Sequence, residues 1–362
     1  MEEVIETALP EKKKRILYFD VLRVIACLAV IMNHSSGAYV INDFNGLNFW
    51  LGNIFDSMSR IGVPIFVMIS GALFLDEEYN CTPKKLLSHI CKMIIFFLFW
   101  SIIYSIAYQI ILPLFQKKPI DIKNFFVLIF QGHYHLWFCY LIIGLYLITP
   151  LLRLWVKKEN KKYIEYFLLL SLLFSFIIPQ FLQITHYYTD SFLFIEKIMK
   201  AFDLKYVAGY TSYFILGWYL HNFDISRKKL IYTFGLLGLM LTILGTYFLS
   251  NTLNSPVQLY DNMYFNVLAQ AIAIFLLIKS IYKNKKDKED SKMNGIISFI
   301  SKNSLGIYAI HAAFVSFIYN AIQAINIKYA IIGIFLMFIP SFIFSLFSTW
   351  LLSKIPYLKK IV

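Results

Sequence analysis

Along this 362-residue chain, apolar residues come in long unbroken runs rather than in the alternation of a half-buried strand or the stripe of a soluble amphipathic helix. Ten runs are distinguishable, near 16–40, 54–75, 86–114, 136–155, 163–184, 206–223, 230–250, 263–282, 304–322 and 329–352. Most are long enough to cross a hydrocarbon layer of ~30 Å as a helix. Backbone groups in lipid must be satisfied within their own segment, so each run predicts an α-helix. The pattern defines an all-α, polytopic membrane protein: a tail over 1–15, a transmembrane domain over 16–353 and a second tail over 354–362.

Composition agrees. With 59% hydrophobic and only 15% charged residues, the chain lacks the polar surface to cover a soluble core. A net charge of +13 in a soluble protein would suggest nucleic acid as a partner, but in this chain the placement of the charges carries the information, and membrane lipid is the partner it implies. Basic residues cluster at Lys12–Arg15, Lys84, Lys85, Lys92, Arg153–Lys162, Arg227–Lys229, Lys283–Lys292 and Lys354–Lys360, before the first run and after the even-numbered ones. The alternate loops hold only Lys117, Lys118, Lys123, Lys197, Lys200, Lys205 and Lys328. By the positive-inside rule both termini are expected in the cytoplasm, which requires an even number of spans. The first run is longer than the apolar region of a signal peptide, so it is retained as a span. Cys27, Cys81, Cys91 and Cys139 fall in helices or on the inner side, where disulfides are not expected, and lack metal-site spacing. The segment "KNKKDKEDSKMN" predicts a solvated cytoplasmic loop.

The first run, "YFDVLRVIACLAVIMNHSSGAYV", contains Asp20, Arg23 and His34. Eleven residues at about 100° each bring Arg23 and His34 to within about 20° of one another, and Asp20 shares that face. The stripe climbs about 16 Å from Arg23 to His34. Two readings fit: an ion pair anchoring the inner helix end with a histidine at the outer headgroups, or a wet protein-lined passage. Ionisable groups at membrane depth cost about 2.5–3.5 kcal/mol each, which favours the passage. The chain has only five arginines among 34 basic residues, and two of them, Arg23 and Arg60, lie at apolar segments. A guanidinium binds carboxylate or phosphate through two parallel bonds, as an ammonium does not. Arg60 is expected at the outer start of the second span, with Asp56 one turn earlier as its helix partner. A lipid-headgroup contact is the alternative.

Five segments in order resemble one family. "FDVLRVIACLAVIMNH" is similar to the opening motif of the acyltransferase 3 family of multi-span membrane O-acyltransferases. "RIGVPIFVMISGALFL", "HLWFCYLIIGLYLITPLL", "YTSYFILGWYL" and "SLGIYAIHAAF" resemble its later helices. The resemblance implies transfer of an acyl group, acetyl or succinyl, from cytoplasmic acyl-CoA to a sugar hydroxyl of an extracytoplasmic or lipid-linked glycan, in a multi-pass protein of the bacterial plasma membrane. It implies that His34 is the essential histidine and Arg23 the first-helix arginine. No metal is expected, and a homo-oligomer is compatible with it. One departure stands out. Where the family carries Arg-x-x-Arg at the start of its third helix, this chain has His89 and Lys92, so the phosphate contact there rests on Lys92 as a point charge.

A histidine with an ordinary pKa near 6.5 suits general-base activation of an alcohol, and transient acylation of the same ring is the other route. His34 is therefore the expected catalytic base. Asp20 and Arg23 are expected along the donor tunnel, and Arg23, Lys84, Lys85, His89 and Lys92 around the nucleotide phosphates. Arg60, His133, His135, Trp137 and His311 are the expected acceptor-side contacts, against packing or interface roles for each. In a helix His133 and His135, two apart, would face apart, and would share a metal only if the segment were extended. Trp137, Tyr140, Trp218 and Tyr219 are aromatic platforms for a sugar or plain packing residues. The rival class is a transporter, since an intramembrane Asp–Arg–His stripe also suits a solute or proton pathway. Against it, no inverted repeat and no paired broken helices are evident.

Overall fold

The computed structural model describes residues 15–41, 44, 46–79, 81–186, 193–202, 204–283 and 292–360. The N-terminal tail to residue 14, the centre of the lysine-rich loop (284–291) and residues 361–362 lie outside the described residues. Everything regular among the described residues is helical: α1 Leu17–Ser36, α2 Leu47–Ser59, α3 Gly62–Phe74, α4 Pro83–Ile106, α5 Leu112–Phe115, α6 Ile122–Gln131, α7 Trp137–Trp155, α8 Lys161–Ser171, α9 Ile178–His186, α10 Leu193–Phe202, α11 Leu204–Asn222, α12 Lys228–Leu253, α13 Phe265–Lys283, α14 Lys292–Ala324 and α15 Ala330–Leu352.

Several of these join into longer rods. Arg60 and Ile61 keep right-handed helical dihedrals between α2 and α3, so Leu47–Phe74 runs as one span. Arg60 is thus well inside its rod and not at the outer start predicted for it. The helical dihedrals of Arg60 and Ile61 carry the rod through this point, so the helix does not begin at its polar residue. The other two joins are π-turns, at Ala107–Ile111 between α4 and α5 and at Leu172–Ile177 between α8 and α9. Each ends two residues before a proline, Pro113 or Pro179. A proline nitrogen cannot donate to the carbonyl four residues back, and the widened turn absorbs the break.

Among the described residues, nine helices or joined helices are long and apolar enough to cross a bilayer. The remaining predicted segment, 206–223, is α11, interrupted by non-helical dihedrals at Gly209 (φ 30°, ψ −133°). Its regular stretch, 210–222, rises only about 20 Å. Instead of facing lipid it fills the centre, where Tyr213, Phe214, Ile215 and Trp218 are buried. It crosses α3 at backbone contact. A Cβ on Gly71 would stand 1.7 Å from the Phe214 carbonyl oxygen, and one on Gly217 1.9 Å from that of Met68. Apolar side chains gain nothing from leaving lipid for protein, so small residues that let backbones approach are what holds such helices together.

The other long contacts run between α14 and α15, α12 and α13, α1 and α14, and α1 and α3. Polar side chains inside the bundle bond to one another. Asn266 donates to Thr242 (2.7 Å), Gln270 donates to the same hydroxyl (2.9 Å), and Gln180 donates to Asn266 (2.8 Å). Two cations, buried Lys279 and half-buried Arg153, close helix ends. Lys279 donates to the carbonyls of Leu220, His221 and Phe223 at 2.7–3.2 Å. Arg153 does the same for Phe74, Asp76 and Tyr79. Both satisfy the orphan carbonyls, and favour the negative dipole end, of α11 and α3.

The α3–α11 crossing gives a direct test. Gly217→Leu must displace the Met68 carbonyl, so a loss of more than about 3 kcal/mol is expected, seen as aggregation on gel filtration in detergent. A monodisperse variant with unchanged thermal unfolding would refute the backbone contact.

Candidate functional site

α1 carries the polar stripe the spacing predicts, and its two ends have different surroundings. Asp20 is 1% exposed at the Arg15 end of the helix. Its carboxylate accepts from Arg15 on both oxygens, from the Arg23 guanidinium (3.3 Å) and from the Ser301 hydroxyl of α14 (2.7 Å). This is a charged knot tying α1 to α14. Arg23 spends one nitrogen on the knot, and its side chain keeps 30% of its surface accessible deep in the apolar run.

Across the same end of the bundle, His89 shares a hydrogen bond with the Tyr79 hydroxyl (3.1 Å) and packs edge-on against Phe74. Lys85 and Lys92 lie one helical turn to either side of it on α4. Both lysines, with Lys84, are exposed.

Near the other end of α1, His34 is half-buried and borders a cavity of about 350 Å³. That volume lies within the range of small-molecule sites, ~300–1,000 Å³. Its polar lining is His34, Tyr108, Tyr134, Ser316, Tyr319 and Asn320, with no charged group. The signal that was missed for Tyr108 is the π-turn, which rotates this residue out of the register an α-helix would give it.

Three more histidines gather behind His34. Its ring centroid is 5.2 Å from that of His311 on α14, which is fully buried, and His311 is 5.3 Å from His135. His133 and His135 meet through their Nδ1 atoms at 2.9 Å. In a helix these two would face apart. They meet because α6 ends at Gly132 in a left-handed conformation (φ 78°) and 132–136 is a non-helical turn. Only glycine serves there, since a Cβ would also stand 2.7 Å from the Phe97 ring. The segment is a turn, and the facing nitrogens are occupied by each other.

The hydrogen bonds assign the tautomers. Carbonyl oxygens only accept, so His135 carries its proton on Nε2, which reaches the Ala309 carbonyl (3.2 Å), and His133 donates from Nδ1. Tyr104 donates to the same Ala309 carbonyl (2.7 Å) and stacks on His133 at 4.3 Å, while Tyr308 donates to the His135 carbonyl.

The remaining predicted residues are elsewhere. Arg60 is paired with buried Asp56, the helix partner its spacing indicated, and lies over the Tyr260 ring at 4.3 Å. It does not line the cavity. Asp56 also accepts from Asn33 (2.7 Å) and Ser36 (3.3 Å), so it fixes the turn of α1 that bears His34. Nothing in the apolar pattern marked Asn33 for that role. Trp137 is 41% exposed, near Tyr210 and away from the cavity, and Tyr140 is half exposed. Trp218 is a buried core residue, and Tyr219 donates to Glu165.

A membrane-embedded helical bundle in which one histidine faces a cavity and one arginine lies about 16 Å below it on the same helix defines a class of intramembrane polar site. Residues 16–354 match the sequence model of the acyltransferase 3 family, described as an acyltransferase domain, and the chain belongs to that family. Comparison with curated proteins and with solved structures finds none that matches.

The Asp20 knot predicts its own measurement. Asp20→Ala leaves Arg15 and Arg23 without their shared anion, so a stability loss of about 3–5 kcal/mol is expected in thermal unfolding of the detergent-solubilised protein. Ser301→Ala should cost about 1 kcal/mol. Equal effects of the two would contradict a charge-centred knot.

Proposed function

We propose that the protein transfers an acyl group, acetyl or succinyl, from acyl-CoA to a sugar hydroxyl of a glycan at the far side of the membrane. The observation that carries the reading is the cavity at the end of α1, of whose lining residues His34 alone carries an imidazole. Its hydroxyl and amide groups, with no charge among them, suit a neutral polyol over an anionic acceptor. The asymmetry of basic residues supports placing the Asp20 end in the cytoplasm, with both termini. Donor and acceptor then approach from opposite ends of α1.

Arg23 is suited to phosphate or carbonyl contact from the donor side because most of its donors are not spent on Asp20. Lys84, Lys85 and Lys92, exposed beside His89, add attraction for the nucleotide phosphates. In the transfer, an acceptor hydroxyl gives its proton to His34 as its oxygen attacks the thioester carbon. The C–S bond breaks, and the CoA sulfur leaves with that proton returned from His34. His133 and His135 support this site from behind, while Arg60 acts through Asp56 on the His34 turn.

The test is label transfer from radioactive acetyl-CoA to the envelope glycan of membranes containing the protein. His34→Ala is expected to lower it by at least about 10²-fold with insertion and gel-filtration behaviour intact. Retained transfer would end the assignment. Loss of acetyl-CoA binding in Arg23→Gln, with binding kept in His34→Ala, is the second expected result.

A further inference from the structure

The proton on Nδ1 of His311 is fixed by its bond to the Tyr308 carbonyl (2.7 Å), because a carbonyl has nothing to donate. Its other nitrogen, Nε2, is therefore a lone pair in the neutral ring. That atom is buried and has no protein partner. A buried acceptor left unmet costs on the order of 1–3 kcal/mol, so its presence in a fully buried residue requires a reason.

Three rings pack on His311: His34, His135 and Tyr308. Two of them have no proton to offer. His135 spends Nε2 on the Ala309 carbonyl and Nδ1 on His133, and the Tyr308 hydroxyl is spent on the His135 carbonyl. His34 remains. Its ring lies as close to His311 as that of His133 does to His135, 5.2 Å against 5.1 Å between centroids, within the range from which a reoriented ring can reach the unmet nitrogen. The planes are 33° apart, so the bond requires the His34 ring to turn until one N–H meets the His311 lone pair.

We infer that His311 is the positioning residue of the reaction: its Nε2 accepts the N–H of one His34 ring nitrogen and so presents the other nitrogen, unprotonated, to the acceptor hydroxyl in the cavity. The inference rests on the acyl-transfer reading above. The acceptor proton moves to the presented nitrogen of His34 as the ester bond forms, and then to the departing sulfur. The proton shared with His311 stays on His34 throughout, and the hydrogen bond steadies the imidazolium while it exists. An imidazole here takes the place that a carboxylate holds in a serine-hydrolase triad, with the difference that it adds no charge to a membrane interior.

Asparagine and glutamine separate this role from packing. Asparagine carries its amide about as far from the backbone as Nδ1 and keeps the bond to Tyr308. Glutamine carries its amide as far as Nε2 and keeps an acceptor for His34. In full-length protein in nanodiscs, His311→Asn is expected to slow carbethoxylation of His34 by diethylpyrocarbonate about tenfold, read by peptide mass spectrometry. It should lower label transfer from acetyl-CoA to envelope glycan by about 10²-fold or more, with little change in half-saturation by acetyl-CoA. His311→Gln should keep both within about tenfold of wild type. Wild-type reactivity of His34 in His311→Asn overturns the inference, as does an equal loss in both variants with unchanged thermal unfolding. Should both variants fail to fold, the ¹⁵N signal of His311 Nε2 in selectively labelled protein decides: it must shift in His34→Ala, and a fixed signal overturns the inference. Transfer that survives His34→Ala defeats the enzyme reading itself. Transfer that is lost there but normal in His311→Asn defeats the positioning role alone.

Discussion

The arrangement depends on one carboxylate buried inside the bundle. Asp20 is 1% exposed, and four donations from Arg15, Arg23 and Ser301 take the place of solvation. Because one of those donors belongs to α14, satisfying the charge also fixes where α14 stands against α1. Both histidines of the candidate reaction ride on these helices, His34 fourteen residues beyond Asp20 and His311 ten beyond Ser301, so the two helices run in the same direction.

Other parts of the site follow from local backbone chemistry. Gly132 ends α6 and sends the His133–His135 turn back into the protein, where both rings and a carbonyl find partners. Pro113 forces the wide turn before it, and Tyr108 comes to line the cavity as a result. Asp56 holds the last turn of α1 through Asn33 and Ser36, with Arg60 neutralising it from one turn further along its own helix. None of these groups needs to meet a ligand to matter, because each restricts where a ring or hydroxyl can be.

What was legible beforehand depended on whether a feature is written within one helix. The stripe of Asp20, Arg23 and His34 follows from a fixed rotation per residue, and so does the Asp56–Arg60 pair. Features that require two segments to meet were not legible. The union of His133 and His135 needs the turn at Gly132, and the approach of His311 to His34 needs α14 laid along α1. The run at 206–223 has the apolarity of a span, yet α11 is broken at Gly209 and its regular part lies inside the bundle. Apolar runs look alike whether they face lipid or protein, and only the glycine contacts with α3 distinguish them. The resemblance of five segments to one family carried more of the functional reading than any single residue did, and the match over residues 16–354 places the chain in that family.

The union of α1 and α14 at Asp20 and Ser301 has the geometry of a fulcrum. Ten residues of helix make a lever arm of about 15 Å, so a tilt of only about 4° there swings the far end by about 1 Å. Displacement on that scale is enough to change a reaction rate by about 10²-fold. On the proposed acyl-transfer reading, a donor that crowds the guanidinium of Arg23, a neighbour of that tie, would be mechanically in touch with the imidazoles at the other end.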